Sequence, residues 1–75
     1  MAHLQDQIYA DSAALAAHRC PECARDLKPM TAISLQAHVD QEFPHGQQFE
    51  HQRTDYGRRY RALMAYAQKR FTAVQ

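Results

Sequence analysis

The chain has 75 residues, a net charge of +1, two cysteines and no tryptophan, and a domain this short buries only about 60–65% of its unfolded surface. Such small domains usually need a metal, disulfides or a partner chain for stability. No stretch approaches the roughly 18 apolar residues of a membrane span, and no export signal is evident, so we expect a soluble, cytoplasmic chain without a membrane partner.

Charge is unevenly distributed along the chain. Residues 1–52 contain three basic and seven acidic side chains, whereas residues 53–75 contain six basic side chains and one acidic side chain. An asymmetry of this kind indicates a binding partner for the basic end.

The first segment, residues 1–18, is predicted to be helical from residue 3 onward. Leu4, Ile8 and Leu15 recur at helical spacing, and no glycine or proline interrupts them. Asp11 falls on the polar side, which an amphipathic helix turns toward solvent.

The next segment, residues 19–30, breaks the helical pattern. Its two prolines, Pro21 and Pro29, are incompatible with a continuous helix. We therefore expect a tight turn between Cys20 and Cys23, followed by a short irregular or hairpin segment.

A second helix is predicted over residues 32–43. Thr31 is suited to cap its N-terminus, and Pro44 ends it because the residue before a proline is disfavoured in the helical conformation. Large apolar side chains recur every four residues on one face, at Leu35, Val39 and Phe43.

The longest helix is predicted over residues 54–74. Gly57 weakens its first turn. Its apolar face is formed by Tyr56, Tyr60, Leu63, Met64, Ala67, Phe71 and Val74. The opposite face and one flank carry most of the positive charge of the chain, at Arg58, Arg59, Arg61, Lys69 and Arg70.

The strongest chemical signal is Cys20-x2-Cys23, followed by His38 and His45. Cysteines without an export signal are more typical of metal sites or redox thiols than of structural disulfides. Two cysteines three positions apart can direct both sulfur atoms to one point, and zinc takes four such ligands in a tetrahedron. The pattern therefore predicts zinc as cofactor, with these four residues as ligands.

Residues 20–45 resemble the Cys2His2 zinc-finger family. Leu27 and Leu35 stand where that family places the two apolar residues of its small core. The resemblance implies a ββα-like fold, with the cysteines in a hairpin and the histidines on the helix. The spacing from Cys23 to His38 and the spacing from His38 to His45 are both longer than is usual in that family, and Pro44 separates the two histidines. Other candidates for the fourth ligand are Glu42, His51 and His18.

Other interpretations of Cys-Pro-x-Cys stay open. The motif also resembles the redox site of thioredoxin-like enzymes, but that site needs a βαβ fold, for which the chain shows no strand pattern. A disulfide between Cys20 and Cys23 would close a very small loop and contribute little stability. Free structural cysteines are the remaining alternative.

The histidine-bearing helix is a poor candidate for reading DNA. Fingers of this family contact bases from three helix positions, and the register set by Leu35 and His38 places Thr31, Ser34 and Ala37 there. These side chains make few directed hydrogen bonds to bases. Acidic residues on the same helix would also repel phosphate.

The basic C-terminal helix is the better candidate for nucleic acid. Its positive charge could neutralise several phosphates without reading the base sequence, and a tyrosine on its flank could stack on a base. A solvated face without any partner is the alternative. The residues predicted to contact nucleic acid or another partner are Arg58, Arg59, Arg61, Tyr66, Lys69 and Arg70.

Two other classes of function were open on the sequence. A protein adaptor or inhibitor, of the kind that phages and plasmids encode, would use the same helix, because tyrosine and arginine are enriched at binding hot spots. A second copy of the chain could cover the same face and form a homodimer. We expect no enzymatic activity, because a catalytic zinc needs a pocket for which this chain has little volume.

The sequence thus predicts one mostly α domain over residues 1–75. A ββα-like zinc-finger core at residues 19–46 would lie between the N-terminal helix and the basic C-terminal helix. The predicted role is that of a non-enzymatic regulatory protein that binds the phosphate backbone of nucleic acid.

Overall fold

The computed structural model describes residues 4–72, except for the side chain of Leu4, and its regular structure consists of four helices. They are α1 (Leu4–Ala16), α2 (Ala32–Glu42), α3 (Gly46–Phe49) and α4 (Asp55–Thr72). Helix α4 contacts each of the other three and is the centre of the fold. Val74, which we assigned to the apolar face of the last helix, lies outside the described residues, as does His3 at the predicted start of the first.

The ββα-like core predicted for residues 19–46 is wrong. Within residues 4–72 the structure contains no strand, and the only antiparallel pairing is an isolated bridge between Arg19 and Asp26. The prolines at positions 21 and 29 cannot donate to a ladder, and Ala24 adopts a left-handed φ of 63°. These features limit the pairing to a tight loop, so the regular structure of residues 4–72 is all helical.

Helix α1 ends at Ala16, two residues before the predicted boundary. His18 adopts a left-handed φ of 59°. Its N–H donates to Leu15 O at 3.0 Å, and the N–H of Arg19 donates to Ala14 O at 2.8 Å. This pair of bonds is the Schellman arrangement, which satisfies the last carbonyl groups of a helix and directs the chain into the cysteine loop.

Helix α2 agrees with the sequence prediction. Thr31 caps it, because its side chain accepts a hydrogen bond from the N–H of Ser34 at 3.1 Å, while the Ser34 hydroxyl accepts from the N–H of Thr31 at 2.8 Å. These reciprocal bonds form a capping box. The predicted apolar face is buried in the core of the domain, at Leu35, Val39 and Phe43.

The core lies where α2 and the cysteine loop pack on α4. Its buried members are Cys20, Leu27, Leu35, Val39, Phe43, Tyr60 and Leu63. The described part of the predicted apolar face of α4 adds partly buried side chains that pack against this core, at Tyr56, Met64, Ala67 and Phe71. The periodicity of α4 therefore predicted its buried side correctly.

The orientation of α1 differs from the prediction. Ile8, assigned to the buried face, is 42% exposed, whereas Asp11, assigned to the polar face, is only 6% exposed. The cause is electrostatic, because Arg58 and Arg59 of α4 both bind the Asp11 carboxylate. A helix with few large apolar side chains is here docked through an ion pair as well as through Leu15.

Helix α3 was missed by the sequence analysis, and it packs closely on α4. A Cβ at Gly46 would overlap the Tyr60 ring, and a Cβ at Gly57 would overlap Phe49 O and lie 2.6 Å from Gln52 O. Both positions therefore need glycine for a close approach, and Gly57 is more than a weak point in the first turn of α4. None of the helices described is long and apolar enough to cross a membrane.

Candidate metal centre

Three of the predicted ligands meet at one point. Ligand atoms of Cys20, Cys23 and His38 all lie within 4.8 Å of one another, and Cys23 Sγ is 3.5 Å from His38 Nε2. Zinc bonds of about 2.0–2.3 Å place tetrahedral donors roughly 3.3–3.8 Å apart. The three side chains are therefore close enough to bind a metal ion after a small contraction.

The cysteine loop places the two sulfur atoms through backbone hydrogen bonds. The N–H of Cys20 donates to Arg25 O at 2.9 Å, and the N–H of Ala24 donates to Cys20 O at 2.8 Å. The left-handed conformation of Ala24 reverses the chain immediately after Cys23. Both cysteines are free thiols, so the structure contains no disulfide between them.

His38 is placed by the capped helix α2 and is buried next to Leu35 and Val39. Its Nε2 atom faces Cys23. Its Nδ1 atom is buried and has no hydrogen-bond partner within residues 4–72. Packing rather than a hydrogen bond at Nδ1 therefore orients the ring, and the polar contacts of the imidazole are made on the side where Cys23 lies.

Glu42 borders the same cluster. It follows His38 by one helical turn, and its Oε1 atom lies 4.0 Å from His38 Nε2. Loss of hydration raises the pKa of the Cys23 thiol to about 11, although a hydrogen bond with the Arg25 backbone opposes this, and Glu42 and Cys20 add to the increase. The thiol is therefore protonated at neutral pH without metal, and metal binding must release its proton.

The other candidate histidines lie away from these atoms. His45 stands at the N-terminus of α3, where its backbone N–H donates to Tyr56 Oη at 2.9 Å. The Nδ1 atom of His18 lies 2.7 Å from Tyr66 Oη. His51 is 92% exposed beside Glu50. The structure thus brings together three of the four predicted zinc ligands and leaves His45 outside the cluster.

Arginines of α4 hold the cysteine loop in place. Arg59 Nη1 donates at 3.2 Å to Oε2 of Glu22, the residue that lies between the two cysteines in the sequence. Arg70 donates to three carbonyl groups further along the loop, at 2.6 Å to Leu27 O, 2.5 Å to Lys28 O and 2.8 Å to Met30 O. The loop that carries Cys20 and Cys23 is therefore attached to α4 on both sides of Cys23.

The remaining predicted arginines also bind within the protein. Arg58 donates to Asp11 at 3.2 Å and to Asp55 at 2.8 Å. Arg61 donates to two backbone carbonyl groups, at 2.6 Å to Glu50 O and 2.8 Å to Gln52 O. The guanidinium groups of the predicted nucleic-acid surface are thus engaged in intramolecular hydrogen bonds.

Tyr66 and Lys69 border a shallow groove between α1 and α4. The Tyr66 hydroxyl accepts a hydrogen bond from Arg70 Nη1 at 3.0 Å, and its ring packs edge-on against His18. Lys69 is exposed. The groove has a volume of about 410 Å³, and its lining residues are Leu15, Ala16, His18, Tyr66, Lys69 and Arg70.

The sequence analysis missed the acidic residues that accept hydrogen bonds from these arginines. Asp11 and Glu22 lie 48 and 37 residues from Arg59, so no local pattern links them. The charge asymmetry between the two parts of the chain was the available signal. We interpreted it as a sign of an external partner, whereas part of it is satisfied inside the fold.

Comparisons with known proteins leave the site to be judged by its own geometry. No protein-family model, curated protein or solved structure matches the chain. The resemblance to a zinc finger therefore rests on the cluster of Cys20, Cys23 and His38, and it does not extend to the fold, which is all-helical over the described residues.

Proposed function

We propose that this chain is a non-enzymatic binding module stabilised by a structural zinc ion. The observation that carries the proposal is the convergence of two thiols and one imidazole within 4.8 Å. Thiolate and imidazole are the donors that zinc favours in structural sites. An ion at this point would join the cysteine loop to α2, and both pack on α4.

The energetic need for such an ion follows from the size of the core. Seven residues form the buried cluster, and one of them, Cys20, is itself a proposed ligand. Folded domains are stable by only about 5–15 kcal/mol, while zinc binding in finger peptides contributes on the order of 10 kcal/mol. The proposed ion would therefore be a major part of the stability of the fold.

Metal analysis of the purified protein tests this proposal. We expect one zinc ion per chain by elemental analysis, together with loss of cooperative thermal unfolding after chelation and its recovery when zinc is added back. A well-folded sample that contains no metal would contradict the proposal.

For the partner, we propose a protein segment that carries carboxylate and apolar side chains. The groove between α1 and α4 supports this choice, because Leu15, Ala16 and Tyr66 provide apolar walls, the exposed Lys69 provides positive charge, and no acidic residue lines it. Charge complementarity of this kind selects partners and accelerates their association. Nucleic acid is the alternative, and the intramolecular bonds of the four arginines favour the protein partner.

A titration followed by NMR distinguishes a protein partner from nucleic acid. Zinc-loaded protein would be mixed with an amphipathic Leu/Glu peptide, with its Leu/Lys counterpart, and with single-stranded DNA and RNA at about 50 mM salt, where nonspecific electrostatic binding is strong. We expect shifts at Leu15, Ala16 and Lys69 with the Glu peptide only. Lys69→Glu should weaken these shifts, whereas Arg53→Glu, at an exposed position before the start of α4, should preserve them.

Two other outcomes of the titration would contradict the proposed protein partner. Binding of DNA or RNA that weakens steeply with salt would favour the phosphate-binding role instead. Absence of shifts with the Glu peptide would reject the proposed surface, and the zinc proposal would be unaffected.

A further inference from the structure

Three ligands leave one position of a tetrahedral zinc site open, and structural sites are almost always closed by four protein ligands. We propose that Glu42 is the fourth ligand, so that the ion is held by two sulfur atoms, one nitrogen and one carboxylate oxygen. This inference rests on the proposed zinc site and specifies its composition.

The position of Glu42 supports this assignment. Residues four apart on a helix lie on the same face, and Glu42 Oε1 is 4.0 Å from His38 Nε2. Because nitrogen and oxygen ligands of one zinc ion lie roughly 3.3 Å apart, a shift of about 0.7 Å would bring the oxygen to the required distance from the nitrogen. Glu42 is not among the residues whose ligand atoms all lie within 4.8 Å of one another, so its carboxylate must also move toward the sulfur atoms.

The structure leaves Glu42 free to make this shift. Its side chain is 24% exposed, so rotation about its side-chain bonds requires no repacking of the core. The backbone at Glu42 is held in place by two buried neighbours, Val39 and Phe43. Coordination would therefore move a carboxylate without moving the helix.

The competing side chains are less well placed. His45 lies beyond Pro44 and outside the cluster of Cys20, Cys23 and His38. His18 contacts Tyr66 through its side chain. Glu22, whose position in the sequence is between the two cysteines, pairs with Arg59 at 3.2 Å. His18 and Glu22 would have to break these side-chain contacts to reach the ion, whereas Glu42 lies 4.0 Å from His38 Nε2.

Two cysteine substitutions test the assignment through the absorption of a bound cobalt ion. Cobalt(II) would be bound in place of zinc, and the thiolate-to-cobalt charge-transfer absorption would be measured per bound ion. Glu42→Cys should raise that absorption about 1.5-fold, because the number of thiolate ligands increases from two to three in a site that takes four ligands. His45→Cys is the matched control and should leave it unchanged.

Loss of affinity provides a second measurement. Competition with a chromophoric chelator should show that Glu42→Gln weakens zinc binding at least about tenfold, since even residues behind the ligands cost 10- to 100-fold when changed. His45→Gln should bind zinc as tightly as the unchanged chain.

The outcomes separate this inference from the proposed function. Unchanged affinity in Glu42→Gln, or a rise in charge-transfer absorption in His45→Cys but not in Glu42→Cys, would overturn the assignment of Glu42 and leave the zinc site intact. A chain that binds neither zinc nor cobalt would reject both proposals together.

Discussion

The cysteine loop with α2 and the arginine-rich helix α4 both bring polar atoms of distant segments together, but in different arrangements. In the first region, Cys20, Cys23 and His38 converge within 4.8 Å. In the second, separate arginines reach separate partners, such as Glu22, 37 residues from Arg59, and Leu27 O, 43 residues from Arg70. A cluster of candidate metal ligands is therefore visible in sequence spacing, whereas dispersed arginine contacts are not.

The two regions also differ in how much they are expected to stabilise the fold. Zinc binding contributes on the order of 10 kcal/mol in small finger domains. A hydrogen bond to a charged group contributes about 1.5–3 kcal/mol, and less where solvent reaches it. We therefore expect the metal cluster to decide whether the domain folds, and the arginines to adjust how stable it is.

The largest expected effect comes from Cys23→Ser, which removes one proposed ligand. Because zinc binding contributes on the order of 10 kcal/mol in finger peptides, we expect the variant to bind no zinc and to lose the cooperative thermal transition followed by circular dichroism. His45→Ser, at a histidine outside the cluster, is the control and should keep both. A cooperative transition retained in Cys23→Ser would show that the arginine-linked helices fold without the metal region.

A smaller loss of folding stability is expected from Gly57→Ala. This change tests the close packing of α4 on the preceding loop, where Arg61 binds backbone carbonyl groups. The new Cβ would overlap Phe49 O and lie 2.6 Å from Gln52 O, and overpacking of this kind costs about 1–3 kcal/mol. Urea denaturation of the zinc-loaded protein should show this loss. Gln68→Ala, at an exposed site on α4, should be neutral or slightly stabilising; a similar result for Gly57→Ala would contradict the close approach.

Arg70→Lys tests the arginine region directly, because it keeps the charge and removes the planar fork of donors. Lysine cannot donate in parallel to Leu27 O, Lys28 O and Met30 O, all of which Arg70 binds. We expect a loss of about 1–2 kcal/mol of unfolding free energy by urea denaturation, with zinc stoichiometry unchanged. Lys69→Met, at the exposed neighbour, should change stability by less than about 0.5 kcal/mol. Loss of zinc in Arg70→Lys would show that the two regions are not independent.

The smallest expected effect is an increase in stability. Ala24 adopts a φ of 63°, a conformation that costs a residue with a Cβ roughly 1–2 kcal/mol. Ala24→Gly relieves this cost but makes the unfolded chain more flexible, so we expect a net gain of about 0.5 kcal/mol, or roughly 2–4 °C in melting temperature. Ala10→Gly, inside α1, should instead destabilise by about 1 kcal/mol. A lower melting temperature for Ala24→Gly would contradict the left-handed turn.

Much of the fold follows from patterns that act over a few residues. The four-residue repeat of Leu35, Val39 and Phe43 correctly gave the buried face of α2, and Thr31 caps it as predicted. The spacing of Cys20 and Cys23 similarly indicated a turn that brings their sulfur atoms together. These features depend on helical periodicity and turn geometry, which neighbouring residues determine.

Long-range contacts decided the features that the sequence analysis missed or misassigned. Resemblance to a finger suggested a ββα-like core, but only one isolated bridge forms in the cysteine loop. Asp11 lies on the polar side of α1 by periodicity, yet it is buried because Arg58 and Arg59 approach from α4.

The sequence by itself thus determined the main helices, the buried faces of α2 and α4, and three donor side chains suited to a metal. Only the tertiary structure decided that His45 lies outside the cluster, that Glu42 borders it, and that the basic helix directs its arginines inward. The physical reason is that periodicity shows which side of a helix is polar, whereas the partner of each charge depends on segments about 40 residues away along the chain.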